Sequence, residues 1–283
     1  MALIDLGPWV YTAVCTVCLL AIRAVLISAL FRPLSFKMMG FTQGDQLTKN
    51  GRSSVMKLEK YLWHTLAYII LVLWCGVVMW RNSWGFSFTA MSEYPALKDA
   101  DPDIPLLQWT YMAWYCHGFV ESLLVDTGRS DFLMMVVHHV LSVLMIAGSY
   151  SSGGHRVCFM VCFEQDLSDI VTYVAKMVQK VTSDPETQKP INSRAVSIQS
   201  VGAIMLSLSW LTCRHITLGI IVWSLVFKIW NDPFTVYMKV MLSTFWGLQV
   251  VWGGYIFKLT YQQVTEGYHF DNYNDSDMHQ KES

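Results

Sequence analysis

FLMMVVHHVLSVLMIAGSY, residues 132–150, contains no Asp, Glu, Lys or Arg; its only strongly basic feature is the adjacent pair His138 and His139. A helix rises about 1.5 Å per residue, so roughly 20 apolar residues cross the ~30 Å of bilayer hydrocarbon. The run therefore reads as a transmembrane helix. The same reading recurs on either side, at Trp9 to Phe31, Leu58 to Trp80, Pro105 to Val125, Arg156 to Met177, Val196 to Trp230 and Val236 to Leu259. The expected fold class is all-α, a polytopic membrane protein of about seven transmembrane helices. The stretch from Val196 to Trp230 is too long for one straight span, so it is expected to tilt, break or begin as an interfacial helix. An eight-span count stays open on the same ground.

Composition agrees with this reading. Hydrophobic residues make up 53% of the chain and charged residues 14%, too few charges to cover a water-exposed surface of this size. A net charge of -1 argues for no nucleic acid partner. The seven cysteines, Cys15, Cys18, Cys75, Cys116, Cys158, Cys162 and Cys213, all fall in apolar stretches, where a thiol packs as a small hydrophobe and no disulfide framework is implied. Cys15 and Cys18 have metal-like spacing but no partner ligands, and no metal site is expected.

Charge position sets the expected orientation. Arg32, Lys37, Lys49, Arg52 and Lys57 follow the first span, which places that loop in the cytosol. Alternation then puts the stretch with Glu93, Asp99, Asp101 and Asp103 outside, and the stretch with Lys180, Lys189 and Arg194 inside. The first span reads as a retained signal anchor rather than a cleaved signal peptide. The organisation expected is 1–57 for the lumenal start, first helix and cytosolic loop, 58–262 for the main helical domain, and 263–283 for an acidic cytosolic tail. That tail, with Glu266, Asp271, Asp275 and Asp277, is polar enough to be disordered, and its sequon at Asn274 would lie on the wrong side for glycosylation.

Ionisable residues inside a span are functional hypotheses by default, because each costs several kcal/mol unless it faces the bundle interior. Here His138 and His139 sit in one span, and Asp166 with Asp169 in the next, at i and i+3. His138 and Asp169 each lie about 10 Å below the cytosolic surface. The short connection from Ser151 to His155 makes the two helices antiparallel neighbours, so a histidine is expected to meet Asp169, with Asp166 one turn deeper in the same cavity. Adjacent histidines point about 100° apart, so only one of them is expected to lead into that cavity. The structural alternatives are packing bridges for the histidines and cation ligands or proton relays for the acids. Arg214 needs a counter-charge, which the acid pair supplies. Arg23 is expected to snorkel to the cytosolic interface, and His117 and His215 to pack. Glu121 and Glu164 take no assigned role.

Arg129-Ser130-Asp131-Phe132, His138-His139, Ser149-Tyr150, Arg156-Val157, Asp166, Asp169 and Ala175-Lys176-Met177 resemble the longevity-assurance motif of ceramide synthases. The correspondence runs without gaps from Asp126 to Met177 and more loosely from Lys57 to Leu259, with Arg214 matching the arginine of the family's sixth helix. The resemblance implies a TLC-type helical barrel with a central lipid tunnel in the endoplasmic reticulum membrane. It also implies an acyltransferase that joins a fatty acyl-CoA to the amine of a sphingoid base. The catalytic residues it implies are His138, His139, Asp166 and Asp169, and the substrate-binding ones Arg129, Lys176 and Arg214. The implied partners are acyl-CoA as co-substrate, the sphingoid base and membrane lipids, with homo- or hetero-dimers open and no cofactor. Three departures stand out: the family's His-Asp reads Gln165-Asp166, the usual Glu near Tyr173 is absent, and the lysine-rich stretch is thinned. No homeobox-like insert is present.

The reaction needs a base, since a sphingoid amine is mostly protonated at pH 7. One of His138 and His139 is expected to serve as that base or to attack the thioester, with Asp169 or Asp166 holding its tautomer. CoA is expected near Arg32, Lys37, Arg129 and Lys176. The rivals are a TLC-domain protein that binds, senses or moves lipid without chemistry, and a transporter or receptor of unrelated fold.

Overall fold

The computed structural model describes residues 7–42, 45–82, 84, 87, 101–228 and 233–267, and of 225–228 and 233–235 the backbone alone. The expectations for Asp5, Glu93, Asp99 and the tail beyond residue 267 lie outside the described residues.

The described residues are helical and contain no strand, only an isolated bridge between Ser183 and Pro190. In chain order the helices are α1 (Pro8–Leu26), α2 (Arg32–Met38), α3 (Lys49–Arg81), α4 (Asp103–Leu124), α5 (Phe132–Ser152), α6 (His155–Val181), α7 (Ser193–Ser209), α8 (Leu218–Lys228) and α9 (Pro233–Glu266). A π-helical turn, Ile27–Phe31, joins α1 to α2, and a second, Trp210–Thr217, joins α7 to α8. Pro33 accounts for the first: it has no N–H to give to the carbonyl one turn back, so the ladder slips there. The second answers the question of the long sixth stretch, which is one rod with a shifted register at its middle rather than two helices.

Local chemistry sets the other boundaries. Thr48 accepts a hydrogen bond from Gly51 N at 3.1 Å and starts α3, and Asn192 accepts from Ala195 N at 2.8 Å and starts α7. Gly153 ends α5 at φ 75, a left-handed turn that glycine adopts without strain, and α6 begins two residues later. That two-glycine turn makes α5 and α6 antiparallel neighbours.

Five rods among the described residues are long and apolar enough to cross a membrane: Pro8–Met38, Lys49–Arg81, Phe132–Ser152, Ser193–Ser224 and Val236–Glu266. The chain is a multi-pass membrane protein. Helix α6 is as long, but Arg156, Glu164, Asp166, Asp169, Lys176 and Lys180 make it polar, and α4 is rich in Trp, Tyr, Gln and His. Both have buried faces, on which Glu164, Asp166, Lys180, Gln108 and His117 lie.

Packing closes six rods into a ring. Helix α3 lies against α6, α6 against α7, α7 against α9, α9 against α5, α5 against α4, and α4 again against α3. Helix α1 stands outside the ring on α4, with Trp9, Val17 and Val25 exposed as lipid-facing residues would be. Tyr11 Oη meets Thr110 Oγ1 at 3.3 Å, Thr16 Oγ1 donates to Ala113 O at 3.3 Å, and Arg23 reaches Glu121. The numbers rise together on both helices, so α1 runs parallel to α4. At one end of the ring, Thr48 and Asn50 bond to Glu186 at 2.5 and 2.9 Å, and Gln188 donates to Ser54 Oγ at 2.7 Å. This is the basic end, because Lys57, Lys60, Arg129 and Lys189 gather there. At the opposite end Arg81 holds Asp103 at 2.6 Å and Asn82 holds Asp101 at 2.9 Å.

Candidate active site

The ring encloses a cavity of about 230 Å³ to which all six of its rods contribute. His138 and His139 both line it, their ring centroids 5.4 Å apart. His138 stacks on Phe245 of α9 at 5.0 Å, with Trp252 edge-on at 5.4 Å. His139 turns toward α4, where a Cβ on Gly118 would lie 2.6 Å from its Cε1. The expectation that only one histidine leads into the cavity is corrected: the cavity wraps around α5 from α4 to α9, an arc wide enough for both. The Nδ1 atoms of the pair are buried without a hydrogen-bond partner among the described residues.

Asp169 lines the same cavity, but its partner is a cation rather than an imidazole. Arg214 Nη2 lies 2.5 Å from Asp169 Oδ1. Arg214 also donates to Ser168 Oγ at 2.5 Å, Gln249 Oε1 at 3.0 Å and Gln165 O at 3.1 Å, and its guanidinium sits 4.3 Å from the Trp210 ring centroid. The expected counter-charge for Arg214 is thus Asp169, and the expected contact between Asp169 and a histidine is replaced by it. The register shift at Trp210–Thr217 holds Arg214, buried, at the height of Asp169. Asp166 does not line the cavity; it is fully buried with Tyr111 as its polar neighbour, and no cation pairs with it among the described residues. Three residues along a helix turn about 300°, which leaves Asp166 some 60° off the face that Asp169 presents.

Arg129 and Lys176 line the basic end of the cavity, as Arg32 and Lys37 do not. Arg32 is engaged instead by Glu59 at 2.8 Å. Arg129 makes a two-pronged pair with Asp131, 2.8 Å on each arm. Burial works against its charge, but Asp131 and Asp126 outweigh it and raise the guanidinium's affinity for its proton. Lys176 Nζ lies 5.8 Å from the ring centroids of Tyr61 and Tyr173.

The sequence reading left out a second polar group on the far wall. Glu121 is buried and receives Arg23 Nη2 at 2.7 Å, with His64 Nε2 at 3.2 Å and Lys60 Nζ at 3.6 Å. Lys60 also pairs with Asp126. Arg23 therefore turns inward to a carboxylate instead of snorkelling to the interface. The signal was present in the spacing: Lys60, His64 and Tyr68 recur every four residues along one face of α3, and all three line the cavity. His64 stacks on Tyr173 at 4.7 Å and 7°. His117 is buried flat against Trp114 at 5.1 Å, and His215 fills a notch at Gly253, so both pack.

Among the described residues no three His, Cys, Asp or Glu side chains converge as a metal ion would require.

Comparison with known proteins supplies a family. The TLC domain model of the TRAM, LAG1 and CLN8 family matches residues 57–258. The chain is 29% identical to ceramide synthase 1 of Mus musculus over 124 residues, which cover 43% of this chain and 35% of that protein. It is 25% identical to ceramide synthase 1 of Homo sapiens over 174 residues, covering 56% of this chain and 43% of that protein. Against ceramide synthase LOH1 of Arabidopsis thaliana it is 23% identical over 247 residues, covering 81% of this chain and 76% of that protein. The chain thus spans less than half the length of these two animal relatives.

Proposed function

The chain belongs to the TLC-domain family, and on that premise we propose that it transfers a fatty acyl group from acyl-CoA to the amine of a sphingoid base, forming (dihydro)ceramide. The observation that carries this reading is the pair His138 and His139, opening together into one membrane-buried cavity whose basic end presents Arg129, Lys176 and Lys60. Cations at the mouth suit the phosphates of CoA, while the apolar walls suit an acyl chain. A histidine is the side chain that takes a proton from an amine near neutral pH or attacks a thioester. The names of the relatives support the same chemistry.

In this mechanism one histidine accepts the amine proton or forms the acyl-imidazole, and the other supports it. Asp169 acts through Arg214, which fixes a charge pair beside the reacting groups and so shapes the field in which the tetrahedral oxyanion develops. Asp166 stays behind the wall as a positioning residue. No metal and no cofactor take part, and membrane lipids surround the ring. The protein resides in the endoplasmic reticulum membrane with seven spans, its amino terminus lumenal and its basic end in the cytosol, where CoA is found.

The test is purified protein in detergent with long-chain acyl-CoA and sphinganine, followed by free CoA and by N-acyl product. Matching amounts of both support acyl transfer. Tight binding of either lipid with no product supports a TLC-domain lipid carrier or sensor, the reading favoured by the absence, among the described residues, of a carboxylate on either histidine.

A further inference from the structure

Acyl transfer of the proposed kind has a proton balance that the histidine pair does not complete. R-NH3+ and R'CO-SCoA give R'CO-NHR, CoA-SH and one free H+. As the C–N bond forms and the C–S bond breaks, the nitrogen loses two protons; one goes to the departing sulfur and the other has to leave a cavity walled by membrane helices. We propose that Glu121, with His64, Lys60 and Asp126, is the route by which this second proton passes from His139 to the basic end of the ring. The inference rests on the acyl-transfer reading.

The geometry begins at His139, whose imidazole lies against Gly118 of α4. Glu121 is three residues further along, about 4.5 Å of helix rise, on the same face and in the same cavity wall. At about 230 Å³ the cavity has room for water between the two. From Glu121 the path continues to His64 Nε2 at 3.2 Å and Lys60 Nζ at 3.6 Å. Lys60 is paired with Asp126, five residues beyond Glu121 and partly exposed at the mouth. These are groups that gain and lose protons: His64 approaches Glu121 from one turn deeper on α3, and Lys60 leads from Glu121 outward to Asp126.

The charged groups around Glu121 come from every side: Arg23 of α1, Lys60 and His64 of α3, Asp126 and Arg129 past the end of α4, and His139 of α5, with Tyr173 of α6 stacked on His64. Arg23, held at 2.7 Å, keeps Glu121 in place from a helix outside the ring. Neutralising Arg23 alone would need one carboxylate and one cation. A carboxylate that also meets His64 and Lys60 and borders the cavity of the histidines is arranged for transit.

A neutral acceptor separates this role from a structural one. An O-alkylhydroxylamine of the same chain length as sphinganine is uncharged at pH 7, and its acylation yields amide and CoA-SH with no proton left over. In the full-length protein, Glu121→Gln should lower turnover of sphinganine by about tenfold or more, and that of the alkoxyamine by no more than about threefold. Glu121→Asp should restore much of the sphinganine rate, His64→Gln should show the same split, and imidazole added to the buffer should narrow it. Equal loss on both acceptors, the outcome of a damaged fold, overturns the route, and so does an undiminished sphinganine rate. A wild-type protein that acylates neither acceptor rejects the acyl-transfer reading itself, a result distinct from any of these.

Discussion

His138 and His139 differ in what holds them. His138 is sandwiched by Phe245 and Trp252, whereas His139 fills the space that the missing side chain of Gly118 leaves. Replacing either histidine with Ala should cut acyl transfer by at least about a hundredfold, the scale of a general base or its immediate support. Folding, judged by a monodisperse elution profile in detergent, should survive. Full activity in both variants would remove the catalytic assignment and favour lipid binding. Gly118→Ala makes a sharper point, because its methyl group would sit 2.6 Å from the His139 ring and displace it. Its sphinganine turnover should fall about tenfold or more with little change in thermal stability, and an unchanged rate would mean that the position of His139 is immaterial. Asp169→Asn keeps the shape but leaves Arg214 buried without its counter-charge, a loss on the order of 3–5 kcal/mol. It should lower both the melting temperature and the turnover more than Asp166→Asn does, since among the described residues Asp166 has no counter-charge to leave behind. Equal effects of the two would argue against the ion pair as the reason for retaining Asp169.

Helix α5 starts at a charged clasp, where Arg129 grips Asp131 just ahead of Phe132. Burial raises the Asp131 carboxyl, but the hydrogen bonds and charge of Arg129 outweigh that and hold it below the ordinary carboxylate range. Its contribution to stability is therefore present above the unfolded value of about 3.9 and is lost as pH falls through the lower folded value. Thermal denaturation from pH 6 downward should show stability falling at the acid end, and Asp131→Asn should flatten that fall; an identical profile would mean that the clasp does not hold α5. Of the rod ends, the turn from α5 to α6 was legible as the short connection from Ser151 to His155, because turn chemistry is local. The register shift at Trp210–Thr217 was not. Hydropathy records how long a stretch is and cannot register a one-residue slip of the hydrogen-bond ladder, so the excess length of that stretch was visible and its cause was not.

At the scale of the molecule, the orientation is tested by glycosylation. A sequon added after Ser283 should remain unmodified in microsomes, and one grafted before Trp9 should be modified; the reverse pattern would invert the protein and move the basic end into the lumen. The multi-pass, all-helical character and the motif could be read along the chain, because both are properties of contiguous sequence. Ring order could not. Asp169 was assigned first to a histidine because α5 precedes α6, yet its partner is Arg214 from the rod that follows α6, the counter-charge relation that the sequence also showed. Glu121 remained unassigned because its neighbours are distant in the chain: Arg23, 98 residues earlier, and two residues of α3.

That separation matters while the protein is being made. Arg23 leaves the ribosome about 98 residues before the carboxylate that will receive it. At roughly 5–20 residues per second the wait lasts on the order of 5–20 s. Until then α1 carries a cation without its carboxylate, a burden of about 2.5–3.5 kcal/mol at the centre of a bilayer and less toward its surface, which favours a shallow seat for the helix until α4 arrives. Helix α1 precedes α4 in synthesis, but its charge pair is complete only once α4 has followed.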